Sequence, residues 1–168
     1  MKFDGGRAGN HGYTIGSDSS GFIIYDDTLS SYRFVIDQDS GNVGIGTTGP
    51  QALLDVSKNN STIYDPTDDL GQRSGTATIH IANQTATTNT FGQLMYDSRS
   101  SGQGIARIVF LNGGSATVGI AFVTEHSEVK SEKMRIQSNG NVGIGEIDPA
   151  TKLQVSGTDP VIRISDDG

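Results

Sequence analysis

Residues 44–49, Gly-Ile-Gly-Thr-Thr-Gly, spell G-x-G-x-x-G, the spacing with which a backbone turn cradles a pyrophosphate. That chemistry needs a strand before the glycines and a true helix after them. Here Pro50 follows at once, and a second occurrence at 143–148 reads GIGEID, without the third glycine. Nucleotide binding is not expected. Asp37, Asp39 and Asn42 offer oxygen ligands in the manner of a Ca²⁺ loop, but the glycine and glutamate an EF-hand needs further on are missing. Asp65, Asp68 and Asp69 crowd around Pro66 and read as a solvated loop, with a surface Ca²⁺ site the lesser reading. The carboxylate pairs Asp26/Asp27 and Glu125/Glu128 have the residue types for glycan hydrolysis. Both fall in predicted hairpin loops, and the chain has no Trp to stack on a sugar. There is no Cys for a disulfide, thiolate metal site or nucleophile. His11, His80 and His126 lie far apart, with no G-x-S-x-G elbow for a serine triad. No catalytic, cofactor or metal residues are expected, and the chain is not read as an enzyme.

The elements that would carry these residues are β-strands. The chain of 168 residues holds 26 Ile and Val against 7 Leu, and β-branched residues suit strands. Glycine, at 23 residues, is about twice its usual share, yet it does not recur every third residue, so collagen is excluded. The formal charge of −7 argues against a nucleic-acid partner. No window approaches a membrane span, and residues 1–10 have no apolar signal region. Hydrophobic residues make up 33%, thin for two separate cores of about 80 residues. Such a chain is expected to complete its core with a neighbouring copy of itself.

The sequence repeats. Residues 41–57 read GNVGIGTTGPQALLDVS, and residues 140–156 read GNVGIGEIDPATKLQVS. Ten of the seventeen positions match without a gap, among them Asn42/Asn141, Pro50/Pro149 and Leu54/Leu153. Upstream, 21–37 parallels 119–137: an apolar run, a polar loop and a second alternating run, which is a hairpin pattern. We therefore expect a first module over 1–57, a polar loop or linker over 58–75, and a second module over 76–157. Residues 158–168 would open a further repeat, which makes the chain a fragment of a longer one.

Strands are predicted over 76–83, 91–97, 105–111, 117–124 and 133–137. Asn112-Gly113-Gly114 is the predicted hairpin turn. Ser40-Gly41 and Asn139-Gly140 turn the chain into the repeated segment. After each GNVGIG a one-turn helix is predicted, with Asp148 as its cap, Pro149 in its first position and 150–153 completing it. Leu54 and Val56, with Leu153 and Val155, would pin that turn and the next strand into a core.

The blocks SGNVGIGTTGPQALLDVS and SEKMRIQSNGNVGIGEIDPATKLQVSG, with the β-rich stretch 78–124 between them, resemble repeats of tail-fibre and related virion proteins of tailed bacteriophages. The resemblance implies an all-β, repetitive trimeric fibre-type architecture: short hairpins, one-turn helical corners and an intertwined core. It implies a virion structural protein, a segment of a homotrimeric tail fibre or similar appendage supporting host attachment. Its partners would be copies of itself, other tail proteins and a host surface glycan, with no membrane insertion. Val43, Ile45, Val142 and Ile144 would fill the axial core, with Leu54 and Leu153 beside them. Gly44, Gly46, Gly143 and Gly145 would let backbones approach closely there. His80 could meet its symmetry mates on the axis and hold an ion, although a polar strand face is the plainer role. The alternative is a glycan-binding module, with loops 59–75, 83–90 and 98–104 contacting the receptor through Tyr64, Tyr96 and Arg99. A glycan-degrading tailspike is the least favoured reading.

Overall fold

The computed structural model describes residues 1–3, 12–85, 87–98 and 104–163. It is mostly β, 47% strand against 3% helix, with two mixed sheets, as the Ile and Val excess implies. The chain divides into two compact units, Met1–His80 and Ile81–Gly168.

The first unit holds β1 (Lys2–Phe3), β2 (Tyr13–Asp18), β3 (Gly21–Asp26), β4 (Ser31–Asp37), β5 (Val43–Ile45) and β6 (Leu54–Val56), hydrogen-bonded in that order. The first five form an antiparallel meander, and β6 joins β5 in parallel. A short helix, α1 (Asp69–Gly75), follows. The second unit holds β7 (Phe91–Ser98), β8 (Gly104–Gly114), β9 (Thr117–His126), β10 (Val129–Ile136), β11 (Val142–Ile144) and β12 (Leu153–Val155). It has the same topology: a meander of five, then one parallel partner. The duplication thus covers six strands per unit, further than the matching residues reach.

Parallel neighbours usually need a crossover of a dozen residues or more. Here eight residues suffice, 46–53 and 145–152. Gly46 and Gly145 begin these crossovers at φ +77° and +69°, where an L side chain would cost roughly 1–2 kcal/mol. The Asn42 side chain donates to the Pro50 carbonyl at 3.2 Å, and Asn141 to the Pro149 carbonyl at 2.9 Å. The Gln51 amide donates to the Asp55 carboxylate, and the Ala150 amide to Gln154 Oε1. These bonds account for the absence of the predicted one-turn helix. The Pro149 carbonyl and Ala150 amide are held by strand side chains, so the segment bends instead of winding.

Each crossover lies over one face of its sheet, and the core sits beneath it. Ile23, Val35 and Gly44 oppose one another across β3, β4 and β5, all buried. In the second unit the buried set is Val109 on β8, opposite Ala121 on β9, with Val123 two residues on along β9. Pro50 and Pro149 are buried in the crossovers themselves.

Three expectations need correction. Residues 76–83 are extended but belong to neither sheet. The β8–β9 turn falls at Ser115-Ala116, both at positive φ, and not at 112–114. The Asn112 side chain is clamped to the carbonyls of Thr85 and Thr87, and a bulge absorbs Gly113, so pairing resumes at Gly114 with Thr117. The 58–75 stretch contains α1, because Asp68 caps the Gly71 amide at 2.9 Å. Residues 158–163 form no strand, and the rest of the expected further repeat, 164–168, lies outside the described residues.

Candidate functional site

Side chains alternate between the two faces of a strand. The residues one step from the buried set therefore all point to the face opposite the crossover. In the first unit they form two cross-strand rows: Phe22, Ile36, Val43 and Leu54 in one, and Ile15, Ile24, Phe34, Ile45 and Val56 in the other. In the second unit the matching rows are Phe110, Ile120, Ile136, Val142 and Leu153, and Leu94, Ile108, Phe122, Met134, Ile144 and Val155. Apart from Ser17 and Gly92, which complete the first row of each unit on β2 and β7, every position is apolar.

These faces are open to a degree unusual for such residues. Leu54 and Leu153 are 56% and 54% exposed, and Ile45 and Ile144 are 43% and 44% exposed. The near-equal values at equivalent positions show that the same surface is presented twice. On this surface Phe22 and Phe34 meet edge to face at 6.4 Å. Over the second face an open groove of about 430 Å³ is lined by Leu94, Tyr96, Ala106, Ile108 and Phe122.

The structure divides the GNVGIG block by side. Val43, Ile45, Leu54, Val142, Ile144 and Leu153 all lie on the open faces, so the two leucines pin no core within the chain. Gly44 and Gly143 lie on the covered face. A Cβ there would collide with the carbonyl of Thr47 or of Glu146 in the crossover. Gly46 and Gly145 shape the crossover, where a Cβ would strike the carbonyl of Ser57 or Ser156. The glycines thus have a reason inside each chain. Sequence reasoning missed Phe22, Ile36, Phe122 and Ile136 as members of the same surface. Their register with the repeat, which only pairing reveals, was the missing signal.

The carboxylates serve turns. Asp26, 1% exposed, accepts from the Arg33 guanidinium at 2.6 Å and from the amides of Thr28 and Leu29. Glu125 accepts from Lys130 and from the Ile105 amide. The Ser40 hydroxyl and amide hold the Asp37 carboxyl below its ordinary range. Asp65 is lowered likewise by the hydroxyl and amide of Thr67. Among the described residues, no three His, Asp or Glu side chains gather closely enough to hold a metal ion.

Of the receptor contacts expected from sequence, Tyr96 is 69% exposed on β7, beside the apolar groove. Tyr64 is 80% exposed and lines a separate groove of about 490 Å³ with Asp65, Asp68, Gln72 and Arg73. Arg99 and His11 lie outside the described residues. His80 is exposed on the extended 76–83 segment. No family model matches the chain, and the search of curated proteins finds no match.

Proposed function

We propose that this chain is a structural segment of a homotrimeric fibre of a tailed-phage virion, a tail fibre or similar appendage that supports host attachment. The observation that carries the assembly is the pair of repeated, two-row apolar faces on which large side chains such as Phe22, Ile45, Leu54, Ile144 and Leu153 stand exposed. Contiguous exposed apolar surface of this kind marks an interaction site. The number of copies and the virion setting rest on the resemblance of the GNVGIG repeats. The role is mechanical: each chain brings one covered and one open face per sheet, and copies bury the open ones against each other. Completing the burial of half-exposed side chains such as Phe22, Ile36, Ile45 and Leu54 is worth on the order of 1 kcal/mol each. Spread over both units, that sum is enough to make isolated chains the minor species. Light scattering on the purified protein should give three times 17.7 kDa. A single-chain mass at every concentration would overturn the proposal.

A second reading, glycan binding, draws on the groove at Tyr64, where an exposed ring stands beside amide, carboxylate and guanidinium groups. A glycan array on the assembled protein tests it: binding that Tyr64→Ala abolishes supports recognition here, and an array without signal leaves the spacer role alone.

A further inference from the structure

Residues 76–83, TATIHIAN, have the alternation of a strand and an extended backbone, yet no sheet contains them. Among the described residues, the peptide groups of 77–82 make no backbone hydrogen bond. Ile79 is 68% and Ile81 40% exposed. Six consecutive unpaired peptide units, with side chains that favour sheets, form a strand without a sheet.

The same chain carries a sheet edge without a strand. β7 ends the second sheet, and no strand lies against its outer side among the described residues. It is eight residues long, close to the length of the unpaired segment, and exposes Leu94, Met95 and Tyr96. Long apolar edges of this kind are templates for another chain.

Within one chain the two do not form a ladder. The Asn83 side chain donates to the Phe91 carbonyl at 3.2 Å, taking an acceptor that a paired strand would use. The Ile81 side chain packs against Gly92, where a Cβ would crowd it. The segment meets β7 through side chains alone.

Resting on the assembly proposed above, we infer that residues 76–83 are an inter-subunit strand that adds to the β7 edge of a second copy of this chain. The addition satisfies the unpaired amides and carbonyls and closes an aggregation-prone edge. In a closed ring of copies, each chain would both give the strand and receive one.

Hydrogen exchange tests this, read at protein concentrations above and below the assembly midpoint found by light scattering. The amides of 77–82 are expected to exchange at least 100-fold more slowly in the assembled protein than in the dilute single chain. Equal protection at both concentrations would place the pairing within one chain and overturn the inference. No protection in a protein that light scattering shows to be assembled would overturn it too, while the assembly stands. A single-chain mass throughout would remove both. As a second measurement, Ile79→Pro, at an exposed position, deletes one amide from the strand. It should raise the assembly midpoint at least tenfold with the circular dichroism of the dilute chain unchanged; an unchanged midpoint counts against the strand.

Discussion

Gly140 and Gly145 offer a matched pair of substitutions within one turn of chain. Both have positive φ, +80° and +69°, so replacing either by Ala carries the left-handed cost of about 1 kcal/mol. Their surroundings differ. A Cβ on Gly140 meets only the Lys152 ammonium, at 3.7 Å, an ordinary contact with a flexible side chain. A Cβ on Gly145 lands far inside the van der Waals distance of the Ser156 carbonyl, which is backbone. Relief requires β12 to move away from β11. That breaks the bonds from Ser156 N–H to the Ile144 carbonyl and from Val142 N–H to the Lys152 carbonyl, both 2.9 Å. Each such bond is worth about 1 kcal/mol net. Gly145→Ala should therefore cost about 3 kcal/mol against about 1 kcal/mol for Gly140→Ala. Urea unfolding of both variants at one fixed protein concentration measures the difference, since assembly makes apparent stability depend on concentration. The reasoning is refuted if the two variants lose the same stability. It is also refuted if Gly145→Ala affects only the assembled mass and leaves the dilute chain as stable as its parent, because the glycine would then serve packing between copies.

Asp26→Asn leaves the half-exposed Arg33 facing a neutral buried amide and should cost about 2 kcal/mol in the same unfolding assay. The double variant Ile45→Lys with Ile144→Lys places ammonium groups on both open faces; it should keep the parent's circular dichroism while light scattering falls to the mass of one chain. The carboxyls of Asp18, Asp37 and Asp65 are held low by the Tyr32, Ser40 and Thr67 hydroxyls. A depressed folded value stabilises above the unfolded carboxylate range, about pH 4, and that contribution is lost as pH falls through the folded values. Stability should therefore decline below about pH 4, and Asp37→Asn should make the decline shallower; an equally steep decline in the variant refutes the assignment.

Much of the molecule was legible in its residues. The Ile and Val excess fixed the class, because branched side chains fit a pleated surface. The exact recurrence of GNVGIG marked a duplication, and Ser40-Gly41 and Asn139-Gly140 located turns that glycine makes cheap. Apolar runs bounded by turn signals also located the strands β7 to β10. Local pattern misled wherever a distant partner took the hydrogen bonds. The cap-and-proline signal at Asp148 and Pro149 lost to the Asn141 and Gln154 side chains, which only the parallel pairing of β11 and β12 brings near. The 76–83 alternation promised a strand, but a strand needs a neighbour, and none lies against it among the described residues.

The sequence alone marked Val43, Gly44, Ile45 and Gly46 as one block that recurs 99 residues on. Only the tertiary structure decided which of them face the chain's own crossover and which face outward. The period of two assigns neighbours to opposite faces but cannot say which face is covered. The eight-residue crossovers do that: by lying over the glycines they leave Val43, Ile45, Val142 and Ile144 on the open side.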